Sequence, residues 1–280
     1  MSKIAIVTDS TSDLTPAQAI EYNIHVRPLY VVFGDTMYKD GIEIQPDEFY
    51  EKLKAAQTLP TTSQPTPGEF IELYEALFAA GYDTIVSIHL SSGLSGTAAA
   101  ARQAAETLDK DIHVFDSHSI SAGVAIQAMS AARAVKAGST VEEVLALLEK
   151  CRNNIEVIFT LNTLEYLAKG GRIGKAKGLL GSLLNIKPII KVEDGIYVDA
   201  GKARSQKQAL EQMVELFADL AKGRKAVEFV VAEGMAEASG RHLKARLEET
   251  FGIEGIICKV GPVVGVHTGP GTVGAAVLYE

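Results

Sequence analysis

The sequence predicts an α/β protein of two domains: a Rossmann-like parallel-sheet domain over residues 1–150 and a smaller α+β domain over 151–280. Three observations carry this reading. Short apolar runs alternate with helical patterns through the first half, as in a parallel sheet built from strand–helix–strand units. Beyond residue 150 hairpin signals appear, Asp194-Gly195 foremost, and these belong to antiparallel pairs. A chain of 280 residues also exceeds the usual length of one domain, so the boundary falls near residue 150, with the chain free to cross between the two.

The elements follow in order. Ile4-Ala5-Ile6-Val7 is a short buried strand, and Thr15-Pro16 gives the next helix an N-cap and a first-turn proline. Ile24–Phe33 is strand-like and turns at Gly34-Asp35 into Thr36–Lys39. A helix opens at Gln45-Pro46 and runs through Gln57; Leu59–Gly68 is a Pro/Thr/Ser loop; Glu69–Ala80 is an amphipathic helix. Thr84–Leu90 is a strand that passes through Ser91–Thr97 into an Ala-rich helix from Ala98 to about Thr107. Ile112–Phe115 is a strand, followed by a small-residue helix reaching Ala137. Thr140-Val141-Glu142-Glu143 is a capping box for a helix ending near Lys150. The second half continues with strand Ile155–Leu161, a short helix stopped by Gly170-Gly171, and the hairpin Lys187–Val192 with Ile196–Val198. Helices Ala209–Ala221 and Glu237–Glu249 and strands Val227–Ala232, Ile256–Val260 and Val273–Tyr279 complete the chain.

Composition removes whole classes of function. A net charge of −8, no Trp and few aromatics argue against nucleic acid as a partner. No apolar run approaches the ~18 residues of a membrane span, so stable membrane insertion is not expected. The N-terminus enters a strand-like run at once, with no signal peptide pattern. Cys151 and Cys258 stand alone, without metal-ligand spacing, which suits a reducing cytoplasm and gives neither a disulfide scaffold nor a metal site.

Three loops carry chemistry. Pro60-Thr61-Thr62-Ser63-Gln64-Pro65 sets three hydroxyls and an amide between two prolines. Ser91-Ser92-Gly93-Leu94-Ser95-Gly96-Thr97 lies between a strand and a helix, where ligands bind in parallel sheets and where a helix N-terminus favours an anion. Val266-His267-Thr268-Gly269-Pro270-Gly271 precedes the last strand and offers an imidazole, a hydroxyl and backbone donors. Each has a plain structural alternative: a turn and cap, a solvated loop, a satisfied histidine. Together they offer neutral groups with no carboxylate close in sequence, a composition suited to one small anionic head group. Lys169-Gly170-Gly171-Arg172-Ile173 reads as a helix C-cap with a solvated arginine, or as a phosphate- or partner-contacting arginine. Asp9-Ser10-Thr11-Ser12-Asp13 is a cap cluster, or a set that orients the ligand loops from behind.

Enzyme motifs are near misses. Gly93–Thr97 falls one residue short of the G-x-S-x-G nucleophile elbow, so a hydrolase triad of Ser95, His267 and Asp9 or Asp116 stays open. Walker A and HExxH patterns are absent, and the ligand loop has the spacing G-x-x-G at Gly93 and Gly96 in place of G-x-G-x-x-G.

The loops resemble those of the DegV family, whose members include the fatty-acid-binding subunits of bacterial fatty acid kinase. The resemblance spans essentially the whole chain. It runs through Thr8–Leu14, Thr62–Pro65, His89–Thr97, Lys169–Ile173, Asn185-Ile186-Lys187-Pro188-Ile189 and His267-Thr268-Gly269. It implies a two-domain protein holding a long-chain fatty acid between its domains, with no other cofactor and no metal. It implies that Thr62 and Ser95 hydrogen-bond the carboxylate, with Ser63, Ser92, Gly96, His267 and Thr268 around the head group. It links Arg172, Arg204 and His267 with phosphoryl transfer and contact to an ATP-dependent kinase subunit, and leaves Asp9 and Ser10 behind the site. On this view the protein is a carrier and not a complete enzyme; a stand-alone serine hydrolase acting on lipid esters and a lipid-dependent sensor are the alternatives. Burying about 15 methylenes at ~0.8 kcal/mol each yields on the order of 12 kcal/mol before ordering costs, and the carboxylate then requires several donors.

Overall fold

The computed structural model describes residues 3–179 and 186–280. In the first sheet, β1 (Ile4–Asp9) leads through a 3-10 turn at Ser10–Ser12 to α1 (Pro16–Glu21) and β2 (Ile24–Arg27). The continuous run expected over Ile24–Phe33 breaks at Pro28, which has no N–H for a ladder. The chain leaves that sheet and enters a second, formed by β3 (Tyr30–Phe33) and β4 (Thr36–Lys39). After α2 (Pro46–Ala55), β5 (Thr61–Ser63) joins the other edge of β3 with Thr62 opposite Val31. The expected loop Leu59–Gly68 therefore contains a strand, too short and too polar to show a period.

Next, α3 (Pro67–Ala79), β6 (Thr84–His89), α4 (Thr97–Leu108) and β7 (Ile112–Asp116) complete a parallel four-stranded sheet ordered β2-β1-β6-β7, as the alternation predicts. Two helices follow, α5 (Ala122–Lys136) and α6 (Val141–Asn154), the latter opened by the expected Thr140–Glu143 capping box.

A mixed six-stranded sheet takes up the rest. Its elements are β8 (Ile155–Thr160), α7 (Glu165–Lys169), a 3-10 turn at Gly174–Leu179, β9 (Lys187–Glu193), β10 (Ile196–Ala203), α8 (Gln206–Ala221) and β11 (Ala226–Gly234). The remainder are α9 (Glu237–Phe251), β12 (Ile256–Lys259), α10 (Pro262–Thr268) and β13 (Thr272–Tyr279). The strand order is β10-β9-β8-β13-β11-β12. The segment Val266–Gly271, expected as a loop, is half helix: α10 holds His267 and Thr268 in its last turn. Pro262 starts it and Gly269 ends it, but Val263, Val264 and Val266 read as strand formers and concealed it.

Alternation places the core. Ile4 and Ile6 face α5, while Ala5 and Val7 face α3 and α4. In the larger sheet Val157, Phe159, Val230 and Ala232 also face α5, while Ile158, Phe229 and Val231 face α8 and α9. The layers thus run helices, sheet, helices, sheet, helices, with α5 and α6 shared by both sheets. The small three-stranded sheet, α2 and α10 form a separate cluster around Phe49, Tyr50, Val263 and Val266.

The two sheets are also pinned at the ligand loop. The Asp194-Gly195 turn of the β9–β10 hairpin docks on it, and buried Ser91 donates to the Gly195 carbonyl at 2.7 Å. Met129 of α5 is fully buried. Met129→Ala is expected to cost ~2–5 kcal/mol in denaturant unfolding. Because α5 serves both sheets, circular dichroism and tyrosine fluorescence should report one common transition; two separated transitions would show that the sheets fold independently.

Candidate functional site

A cavity of about 280 Å³ lies where the carboxyl ends of β1 and β6 meet β5, α10 and the segment after α7. It brings together Thr62 and Ser63 of β5, Ser95, Arg172 and His267, which the sequence offers in four distant segments. Among the described residues no Asp or Glu lines it.

Two hydroxyls are held from behind. Thr62 Oγ1 lies 2.9 Å from His267 Nε2. Ser95 Oγ lies 2.9 Å from the buried Thr97 hydroxyl and accepts the Thr97 backbone N–H at 3.3 Å. When the rear partner donates in each case, the hydroxyl proton is free to point into the cavity. His267 is held neutral: burial, and after it the Arg172 charge, push its pKa down to about 4. Its Nδ1 finds no partner among the described residues, and its ring packs so closely on Gly170 that a Cβ there would collide with it.

Arg172 is not a solvated cap residue. Its Nε donates to the Leu94 carbonyl at 3.3 Å and its NH1 to the Gly170 carbonyl at 2.8 Å, which ties the segment after α7 to the Ser91–Thr97 loop. Asp9 acts from behind. Its buried carboxylate accepts from the Thr11 backbone and hydroxyl, from Leu90 N at 3.1 Å and from His89 Nδ1 at 2.9 Å. Thr11 and Leu90 both line the cavity. His89 is fixed in turn by Ser87, and Ser87 by Tyr74.

Other expected positions lie elsewhere. The Ser92 side chain is exposed and its N–H donates to Asp116, away from the cavity. Ser10 donates to Asp40 at 2.8 Å and lines a different cleft. Gly96 sits behind the Gln64 side chain at the start of α4. Arg204 is exposed past the end of β10, the opposite end from Tyr197, and lines neither cavity. Thr268 belongs to a second, apolar cavity. Asn185 lies outside the described residues.

That second cavity, about 40 Å³, meets the first at Ile120, Tyr197 and Val264 and extends between the sheets. Val157, Phe159, Ala232, Val260 and Ala275 wall it. Its hydroxyls are turned inward to other partners: Ser121 to Asp13, Thr268 to the Val264 carbonyl and Thr272 to the Gly269 carbonyl. Nothing in the sequence marks Ile120 or Tyr197, whose loop and strand positions look like ordinary core. A larger cleft of about 880 Å³ opens on the other side of α10, but Asp13, Asp40, Asp47, Glu233 and Glu237 line it. Burial pushes Asp40 up to about 7 and Asp13 well above the carboxylate range, and Arg241 and Lys259 stand beside the carboxyls, so this cleft is a mixed acidic one and lacks the carboxylate-free lining of the first cavity.

The hydrolase triad is not assembled. Ser95 bonds to Thr97, His267 bonds to Thr62, and Asp9 bonds to His89. A histidine with a pKa near 4 is also a weak base at neutral pH.

The fold and cavities define a two-sheet α/β protein with a donor-lined pocket free of carboxylates among the described residues, adjoining an apolar one. The profile described as "Uncharacterised protein, DegV family" matches residues 3–280. A DegV domain-containing protein of Deinococcus radiodurans is 38% identical over 276 residues, 98% of this chain and 97% of that one. Among solved structures, a DegV family protein from Thermus thermophilus, described with fatty acid binding, superposes with a TM-score of 0.94 at 35% identity, over 99% of this chain and 100% of that one. DegV of Bacillus subtilis, described as a fatty acid binding protein, gives 0.91 at 34% identity with full coverage of both chains. The chain belongs to the DegV family.

The imidazole of His267 is expected to titrate near pH 4 by NMR, and Arg172→Ala to raise that value. The unfolded chain protonates this residue near the ordinary 6.5, so its contribution to stability is complete above that pH and is lost as pH falls toward 4. An imidazole titrating at its ordinary value would mean that the ring is solvated.

Proposed function

We propose that the protein is a cytoplasmic carrier that binds one long-chain fatty acid and presents its carboxylate to a separate ATP-dependent kinase subunit. The observation that carries this reading is a cavity with two rear-supported hydroxyls, a neutral imidazole, an arginine and no carboxylate, continuous with an apolar cavity. Fatty acid binding by the Thermus and Bacillus relatives supports it. The unpaired buried thiols Cys151 and Cys258 suit a reducing compartment, and among the described residues no helix is long and apolar enough to cross a membrane.

In this reading Thr62 and Ser95 each donate an O–H to the carboxylate. His267 stays neutral so that Nε2–H supports Thr62, and Arg172 adds positive charge without a competing carboxylate. Hydrogen bonds to a charged group contribute about 1.5–3 kcal/mol each, and several offset the cost of desolvating the head group. The methylenes enter between the sheets past Ile120, Tyr197 and Val264. A long chain needs more room than about 40 Å³, so loading widens that layer. For transfer, a carboxylate oxygen attacks the γ-phosphorus of ATP on the kinase subunit, forming acyl phosphate as ADP leaves. Arg172 and His267 stand beside that oxygen, and exposed Arg204 contacts the partner's surface.

Native mass spectrometry of the purified protein, followed by solvent extraction, is expected to yield a stoichiometric long-chain fatty acid. A protein that is empty and also refuses added fatty acid would overturn the reading. Thr62→Ala and Ser95→Ala should each weaken fatty acid binding by about tenfold or more. Arg172→Ala should retain the lipid yet stop acyl phosphate formation with the kinase subunit; unchanged turnover would remove its transfer role.

A further inference from the structure

Gln64 follows Thr62 by two residues, the spacing that returns a side chain to the same face of an extended strand. Both side chains line the head-group cavity. The Gln64 backbone is fixed on either side. Ser63 pairs with Tyr30 across the sheet, and buried Pro65 leads into Thr66, which caps α3. The side chain crosses to the start of α4. It lies so close over Gly96 that a Cβ there would sit 2.5 Å from Oε1 and 2.8 Å from Nε2. The φ of Gly96 is −79°, open to any residue, so what a side chain there would meet is the end of Gln64, which would have to move aside. Among the described residues the Gln64 amide has no hydrogen-bond partner; the bond made to Gln64 runs from Ser63 Oγ to its backbone carbonyl.

The amide of Gln64, an exposed residue, is thus left without a protein partner among the described residues, at the rim of a cavity that already supplies two hydroxyl donors. A carboxylate has two oxygens and about four acceptor sites, whereas an alcohol oxygen has two acceptor sites, which Thr62 and Ser95 fill. We infer that Gln64 is the residue by which this cavity distinguishes a carboxylate from other lipid head groups: its amide N–H donates to the carboxylate from the Gly96 side, as a third protein ligand. This rests on the fatty-acid reading above. Glycine at 96 keeps the space in which the amide reaches that position.

The test measures binding of a saturated sixteen-carbon fatty acid and of the alcohol of the same length to the full chain. Gln64→Ala is expected to weaken acid binding about tenfold or more and to leave alcohol binding within about twofold. Gln64→Glu, which sets a like charge against the ligand, should weaken the acid about a hundredfold. Gly96→Ala displaces the amide and should match Gln64→Ala, and the double variant should be no weaker than either single one. A purely structural role would not produce the acid-against-alcohol split or the loss of additivity. The inference is overturned if Gln64→Ala binds the acid like the wild type, loses acid and alcohol alike, or adds its effect to that of Gly96→Ala. A wild-type protein that binds neither ligand would overturn the fatty-acid reading itself, and this inference with it.

Discussion

The burial of α5 between two sheets is the constraint on which the rest of the molecule depends. Every residue from Ala122 to Ala132 is buried, and the helix packs on β1, β2 and β6 on one side and on β8, β11 and β13 on the other. A helix enclosed all round cannot be amphipathic, and its Ala, Gly and Ser residues let both sheets approach closely. Neither sheet can bury its inner face without it, so the halves of the chain share one core. The start of α5 then fixes the pocket. Ser121 caps it and bonds to Asp13, whose other oxygen accepts Gly261 N at the start of α10. One carboxylate thereby holds two walls of the apolar cavity, and α10 carries that order on to His267.

Much of this was legible in the sequence, because period and punctuation survive folding where burial is one-sided or complete. The parallel sheet, the Thr140 capping box and the Asp194-Gly195 hairpin all lie where local pattern and tertiary packing agree. Where they conflict the reading failed. Pro28 divides one apolar run between two sheets, and β5 is held by its pairing with β3 and not by its own residues. The β-branched residues of α10 gave no helical signal, and its second half read as loop, yet Pro262 starts a helix there and Gly269 ends it.

The site was legible in part for a related reason. Thr62, Ser95, Arg172 and His267 sit in or beside segments whose Gly and Pro residues announce themselves in the sequence. Ile120 and Tyr197, which join the two cavities, have no such signature because a tunnel wall and an ordinary core position have the same composition. Ser92 and Thr268 carried the right chemistry in the right loops, but adjacent side chains on a turn or helix point different ways. Ser92 is exposed, with its backbone N–H on Asp116, and Thr268 faces the apolar layer. Polar chemistry can be proposed from residue type; which of two neighbouring hydroxyls faces the ligand is decided by backbone direction.

The position of β13 has a consequence for biosynthesis. The strand is the last element in chain order, yet it lies inside the larger sheet, flanked by β8 and β11. A nascent or truncated chain ending before Thr272 leaves those two strands with facing, unpaired edges, and long-range pairing of this kind is slow to form. Such edges are templates for other chains. The four-stranded sheet has all of its strands by Asp116. Incomplete copies of this protein would therefore carry one finished sheet and one sticky, half-built one, and quality control in the cell would meet them as aggregation-prone species.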